Sequence, residues 1–223
     1  MIGLVIPVTT LVVSIIVLMI LYKVTKIFPY QAFLIGAGLL FLTLVIQPPI
    51  QQIPVVLLKI NPSTVSINVL IPVLLYAALV SGFLQELLKL LSVRGKSIEY
   101  ALWLGAGFGF GEASLVALNQ FINVWIGVDT PLYLGLVSCY ERFTALLYHM
   151  FSAALLYQYY SRGRGLTIYI IMALIHSLMN YQAVLFIRLY GLSAPALLTI
   201  YSIVSGIVLS LYIIYRREMR SSG

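Results

Sequence analysis

The chain has 223 residues, 62% of them hydrophobic and 9% charged, with a formal net charge of +7 and a mean hydropathy of +1.07. That composition excludes a water-soluble domain, and spans of about 20 apolar residues each use up the length, so the expectation is a single integral membrane domain over residues 1–223. The positive charge comes from 13 Lys and Arg spread over short loops, which reads as a topology signal for insertion in a lipid bilayer and not as a nucleic-acid surface.

Breaks in the apolar pattern predict an all-α polytopic transmembrane bundle of about seven spans. The first, Ile2 to Tyr22, lacks a basic leader and a small-residue cleavage site, so it reads as a span and not a removable signal. The second, Tyr30 to Ile46, is short. After it, Gln47 to Thr64 carries Pro48, Pro49, Pro54 and Pro62 together with Gln47, Gln51 and Gln52, which predicts an extended or partly re-entrant loop.

The third span, Val65 to Leu91, holds Gln85, Glu86 and Lys89, with Glu86 and Lys89 on one helix face. Alone, that pair reads as a buried or snorkelling ion pair. The fourth, Ile98 to Leu118, combines Gly105, Gly107, Gly109 and Gly111 with Glu112. No strand precedes these glycines, so they read as helix-packing residues and not a nucleotide loop. Glu112 is different: a mid-membrane carboxylate must be protonated, paired or bound to a cation. Phe121 to Val128 is a segment that can dip into the interface.

The fifth span, Leu132 to Tyr160, carries Cys139, Glu141, Arg142 and His149. Cys139 is the only cysteine, which excludes an internal disulfide and reads as a small packed thiol. Arg142 and His149 are nearly two turns apart and share a face, while the adjacent Glu141 and Arg142 point to different sides and are expected to pair with other helices. The sixth, Leu166 to Ile187, sets His176 and Asn180 one turn apart. The seventh is Pro195 to Tyr215.

In this arrangement Lys23, Lys26, Arg94, Lys96, Arg162, Arg164, Arg216, Arg217 and Arg220 fall on one side and only Lys59 and Arg188 on the other. The expected topology is therefore a multi-pass cell-membrane protein with its N-terminus outside and its C-terminus cytoplasmic. At about 1.5 Å per residue from the cytoplasmic ends, Glu86 lies roughly 10 Å deep, His176 roughly 15 Å, His149 roughly 17 Å, and Glu112 and Asn180 roughly 21 Å. Four helices thus bring polar groups to overlapping depths, and such intramembrane groups are costly and usually functional.

These residue types can build a hydrolytic site in two ways. Glu112, His149 and His176 have the composition of a three-ligand divalent metal site, zinc first, with an open position for water. Glu86 would then accept the water's proton and Asn180 would face the oxyanion. A metal-free alternative has a carboxylate and a histidine activate water jointly.

The order Glu-x-x-Lys, Phe-x-x-x-Glu, His and His-x-x-x-Asn, in Gln85 to Lys89, Phe108 to Glu112, Glu141 to His149 and His176 to Asn180, resembles the superfamily of PrsW-type proteases, YhfC-type membrane peptidases and type II CAAX prenyl proteases. The glycine-rich approach to Glu112 and the Glu141-Arg142 pair upstream of His149 look most like the YhfC group, and the likeness runs from about Val65 to Ile187. It implies an intramembrane peptidase acting on a membrane-embedded or membrane-proximal peptide or protein, with Glu86, Glu112, His149, His176 and Asn180 at the site and Gln85, Lys89, Glu141 and Arg142 supporting it.

Two positions depart from the superfamily pattern. Gln85 stands where the first motif often has a glutamate, so activity is either absent or carried by Glu86, and Asn180 stands where PrsW-type members have aspartate. The superfamily includes a non-catalytic scaffold, and this makes a silent membrane scaffold the main alternative. Gln85→Glu would then create or raise activity. A proton- or cation-coupled transporter is the third reading, although the halves of the chain show no repeat.

Overall fold

A computed structural model describes residues 2–61, 65–128 and 131–221. Seven helices follow one another: α1 (Ile2–Thr25), α2 (Tyr30–Leu57), α3 (Ile67–Val93), α4 (Ile98–Trp125), α5 (Leu132–Ser161), α6 (Gly165–Tyr190) and α7 (Ala194–Ser221). Six are long and apolar enough to cross a membrane. The remaining one, α5, runs 30 residues and is less apolar because it carries Glu141, Arg142 and His149. It packs against α1, α3, α4, α6 and α7, so its polar residues face other helices.

Outward faces are apolar almost everywhere, with Leu34, Val45, Val56 and Leu198 among the large exposed side chains. Such a surface suits a lipid surround. Of the six apolar helices α4 is the most enclosed, with 67% of its apolar window buried. Tight turns at Gly163 and Gly191, both at positive φ, reverse the chain in a few residues because glycine has no Cβ to clash there.

The expected loop at Gln47 is helical. α2 continues unbroken through Pro48, Pro49 and Pro54 to Leu57; Pro62 and Thr64 lie outside the described residues. Proline removes one backbone donor, and neighbouring side chains can satisfy the carbonyl it strands. Pro54 cannot bond the carbonyl of Ile50, and the Tyr76 hydroxyl of α3 donates to that oxygen instead, at 3.1 Å. The glutamines that suggested a loop tie this stretch to the next helix, with Gln51 Nε2 donating to the Ala77 carbonyl of α3 at 2.7 Å. Likewise α4 stays helical to Trp125, and the chain turns only at Gly127.

Contacts gather the basic residues at one end of the bundle. Arg94 after α3 lies over the Tyr160 ring of α5 at 5.2 Å, and Arg162 after α5 pairs with Glu218 of α7. Trp103 near the start of α4 donates to Thr25 at the end of α1, at 3.3 Å.

Candidate active site

Glycines bring the site-bearing helices into backbone contact. A Cβ added at Gly105 would stand 2.2 Å from the His149 carbonyl oxygen, and one at Gly109 would stand 2.7 Å from the Leu146 Cα. At Gly107 it would stand 2.0 Å from the Phe33 carbonyl oxygen, and at Gly111 2.9 Å from a Leu40 methyl. The alternating glycines are therefore two interleaved pairs at four-residue spacing, one seating α4 on α5 and the other seating it on α2. Gly82 does the same for α3 on α6, its added Cβ falling 2.4 Å from the Ala173 carbonyl oxygen. That contact lies one turn before both Glu86 and His176, which sets their separation.

Glu86 and Lys89 form a closed centre, with side chains 0% exposed and 2.6 Å apart. Glu86 Oε1 also faces His176 Nδ1 at 2.8 Å and the Tyr148 hydroxyl at 3.1 Å. Lys89 Nζ reaches His149 Nδ1 at 3.2 Å and Ser152 Oγ at 2.6 Å. An ammonium has only protons to offer, and the three of Lys89 match its three acceptors. Phe108 and Tyr148 close over the ammonium, their ring centres 5.8 and 5.2 Å from Nζ.

These contacts assign opposite tautomers to the two imidazoles. Facing Lys89, His149 must accept at Nδ1, so its proton is on Nε2, which lies 3.5 Å from Glu112 Oε2. Facing the Glu86 carboxylate, His176 donates from Nδ1, and the tautomer this selects carries its lone pair on Nε2. The two rings meet edge to face with centres 5.4 Å apart.

Beside them lies a cavity of about 90 Å³ lined by Glu112, Arg142, His149, His176, Asn180 and Tyr201 among others. Its size and polarity admit a few waters. Glu112, 26% exposed, accepts from Arg142 at 2.9 Å, and Arg142 also pairs with Glu141. Glu86 is thus shut away and Glu112 faces the cavity.

Glu86, Lys89, His149 and His176 share one hydrogen-bonded network, and Glu112 adjoins it through His149 Nε2 at 3.5 Å while holding Arg142 on its other side. Arg142 pairs with Glu112 of another helix as expected, whereas Glu141, expected to do likewise, pairs with the adjacent Arg142. Asn180 lines the cavity but donates to Ser81 of α3 at 2.9 Å. Gln85 turns away, its Nε2 donating to Gln47 at 3.0 Å and Ser81 at 3.3 Å. Cys139 is buried against α1, 3.3 Å from Thr10 Oγ1, as a packed thiol should be.

Tyr148, Ser152 and Tyr201 belong to the site without having been singled out from the sequence. Ser152 is three residues after His149 and so on its face, a usable signal. Tyr148 and Tyr201 carry none, since aromatic residues are common throughout membrane helices.

Glu112, His149 and His176 have the composition of a metal site but not its lone-pair geometry. A ligating histidine donates its second N–H to an acceptor; His176 does so to Glu86, whereas the second nitrogen of His149 faces the Lys89 ammonium. Among the described residues no group of three or more His, Cys, Asp or Glu is gathered to hold a metal ion. Compared with known proteins, the chain matches no family model, no curated protein and no solved structure.

Proposed function

We propose that this protein is an intramembrane peptidase in which His176, oriented by Glu86, activates water in the cavity. The observation that carries the reading is the 2.8 Å contact between His176 Nδ1 and a fully buried carboxylate. An acceptor behind an imidazole fixes its tautomer and steadies the charge it gains on taking a proton. The motif order that resembles intramembrane peptidases points the same way.

His176 Nε2 takes a proton from water as the water oxygen bonds to the scissile carbonyl carbon. Negative charge moves to the carbonyl oxygen, where the Arg142 guanidinium, the His149 Nε2–H and the Asn180 amide are the candidate donors. The C–N bond then breaks, and the proton on His176 passes to the leaving amine. Glu112 keeps Arg142 and His149 aimed at the cavity. No step passes through a metal, because the Lys89 contact holds the His149 lone pair away from the cavity.

The substrate class is a membrane-embedded or membrane-proximal peptide, and the basic end of the bundle is cytoplasmic. Purified protein in liposomes, offered a library of fluorogenic single-span peptides, should cleave a subset. His176→Ala and Glu112→Gln should each abolish the cleavage, and a chelator should leave it intact. Cleavage unchanged in both variants would refute the proposal. A silent scaffold is the second reading, favoured by the fact that Glu86 and Glu112 are each already paired with a cation. It predicts no cleavage of any library member by folded protein.

A further inference from the structure

A second opening lies between α2, α3 and α6, a cleft of about 390 Å³ whose lining includes Gln47, Gln51, Ala77, Ser81, Glu141 and Asn180. Glu141, Asn180 and Ala183 line both this cleft and the cavity at His176, so the two spaces adjoin. Carboxamides, a hydroxyl and the Arg142-paired carboxylate of Glu141 are an odd lining for helices whose outer faces are otherwise apolar. Gln47 and Gln51 are one turn apart on α2 and face Ala77 and Ser81, one turn apart on α3.

The hydrogen bonds of this row are only half used. Gln47 Oε1 accepts from Gln85, and Asn180 Nδ2 donates to Ser81. Among the described residues this leaves Gln47 Nε2 as a donor and Asn180 Oδ1 as an acceptor with no protein partner. Behind them Gln85 Oε1 is buried with no partner either. A lipid chain in the cleft would leave these groups dry and unpaired, at a cost of about 1–3 kcal/mol each. Glu141, the carboxylate in this lining, is already paired with Arg142, and the amides that remain offer little to an ion. What carries both N–H and C=O groups needing partners at membrane depth is a polypeptide out of helical conformation.

We propose that the α2–α3–α6 cleft is the lateral access groove of the site, binding an unwound stretch of a transmembrane segment through its backbone. This rests on the peptidase reading and narrows it: the substrates are spans weakened by Gly or Pro near the cleaved bond, because an intact helix keeps its own amides bonded.

The test uses full-length His176→Ala protein in liposomes, so that binding is read without cleavage. A photoreactive benzophenone residue replaces Val184, which lines the cleft, or Leu198, which lines an apolar groove between α5 and α7. The probes are two leucine-alanine spans, one with a central Gly-Pro pair and one uninterrupted. Position 184 should capture the Gly-Pro span selectively, and Gln47→Leu should weaken capture about tenfold, the effect of a lost hydrogen bond of about 1.4 kcal/mol. Equal capture of both spans, or capture at 198 alone, overturns the groove. Gln51→Leu serves as a second variant should Gln47→Leu fail to fold. Selective capture with no cleavage by wild-type protein upholds the groove and refutes the peptidase, while cleavage without capture at 184 does the reverse.

Discussion

Replacing Lys89 by methionine removes three hydrogen bonds and leaves the Glu86 carboxylate in a place with no water. Both side chains are 0% exposed and 2.6 Å apart, so the pair is beyond solvent screening. Removing one partner of such a pair costs about 3–5 kcal/mol, a large share of the roughly 5–15 kcal/mol that holds a typical domain together. Glu86→Gln should cost a similar amount by stranding the ammonium. The double variant Glu86→Gln/Lys89→Met strands neither charge and should lie within about 2 kcal/mol of wild type. Reversible unfolding in mixed micelles of rising denaturing-detergent fraction, followed by circular dichroism, measures all three, and the two single effects should fail to add by at least about 2 kcal/mol. The penalties should also persist at high salt, because ions do not reach the pair. Single effects below about 1 kcal/mol, or additive ones, would refute the closed centre and with it the orienting role of Glu86.

Gly105→Ala sets a methyl 2.2 Å from the His149 carbonyl, so α4 and α5 must part; we expect about 1–3 kcal/mol of destabilisation and loss of any cleavage. Gly38→Ala, with open space around its added Cβ, should be neutral or stabilising by up to about 1 kcal/mol in the same unfolding assay. Gln85→Glu, expected from family pattern to raise activity, should instead destabilise by about 1–3 kcal/mol. It replaces the donor facing Gln47 Oε1 at 3.0 Å with a buried acceptor, and higher activity in a cleavage assay would overturn that placement. In a Cys139→Ala background, cysteine at Lys96 should react with an impermeant maleimide only in inside-out vesicles and cysteine at Lys59 only in right-side-out ones. The reverse labelling would invert the topology.

Local pattern sufficed for the helices and for the polar residues worth attention. A membrane helix closes its own backbone hydrogen bonds, so apolar length and breaks in it reveal the element without knowledge of its neighbours. Overlapping depth along different spans was enough to expect Glu86, Glu112, His149 and His176 to meet. The same local logic failed at Pro48, Pro49 and Pro54, because the contacts that hold this stretch as helix, the Tyr76 hydroxyl on the Ile50 carbonyl and the Gln51 bond to the Ala77 carbonyl, reach to another helix.

Roles were decided only by packing. Which carboxylate is closed off and which faces the cavity, and which nitrogen of each histidine carries the proton, depend on contacts 60 residues apart for Lys89 and His149 and 90 apart for Glu86 and His176. Periodicity of 3.6 residues says which side chains share a face of one helix. It carries no information on which face of another helix they meet, and that is set by where backbones can touch, at Gly82, Gly105 and Gly109.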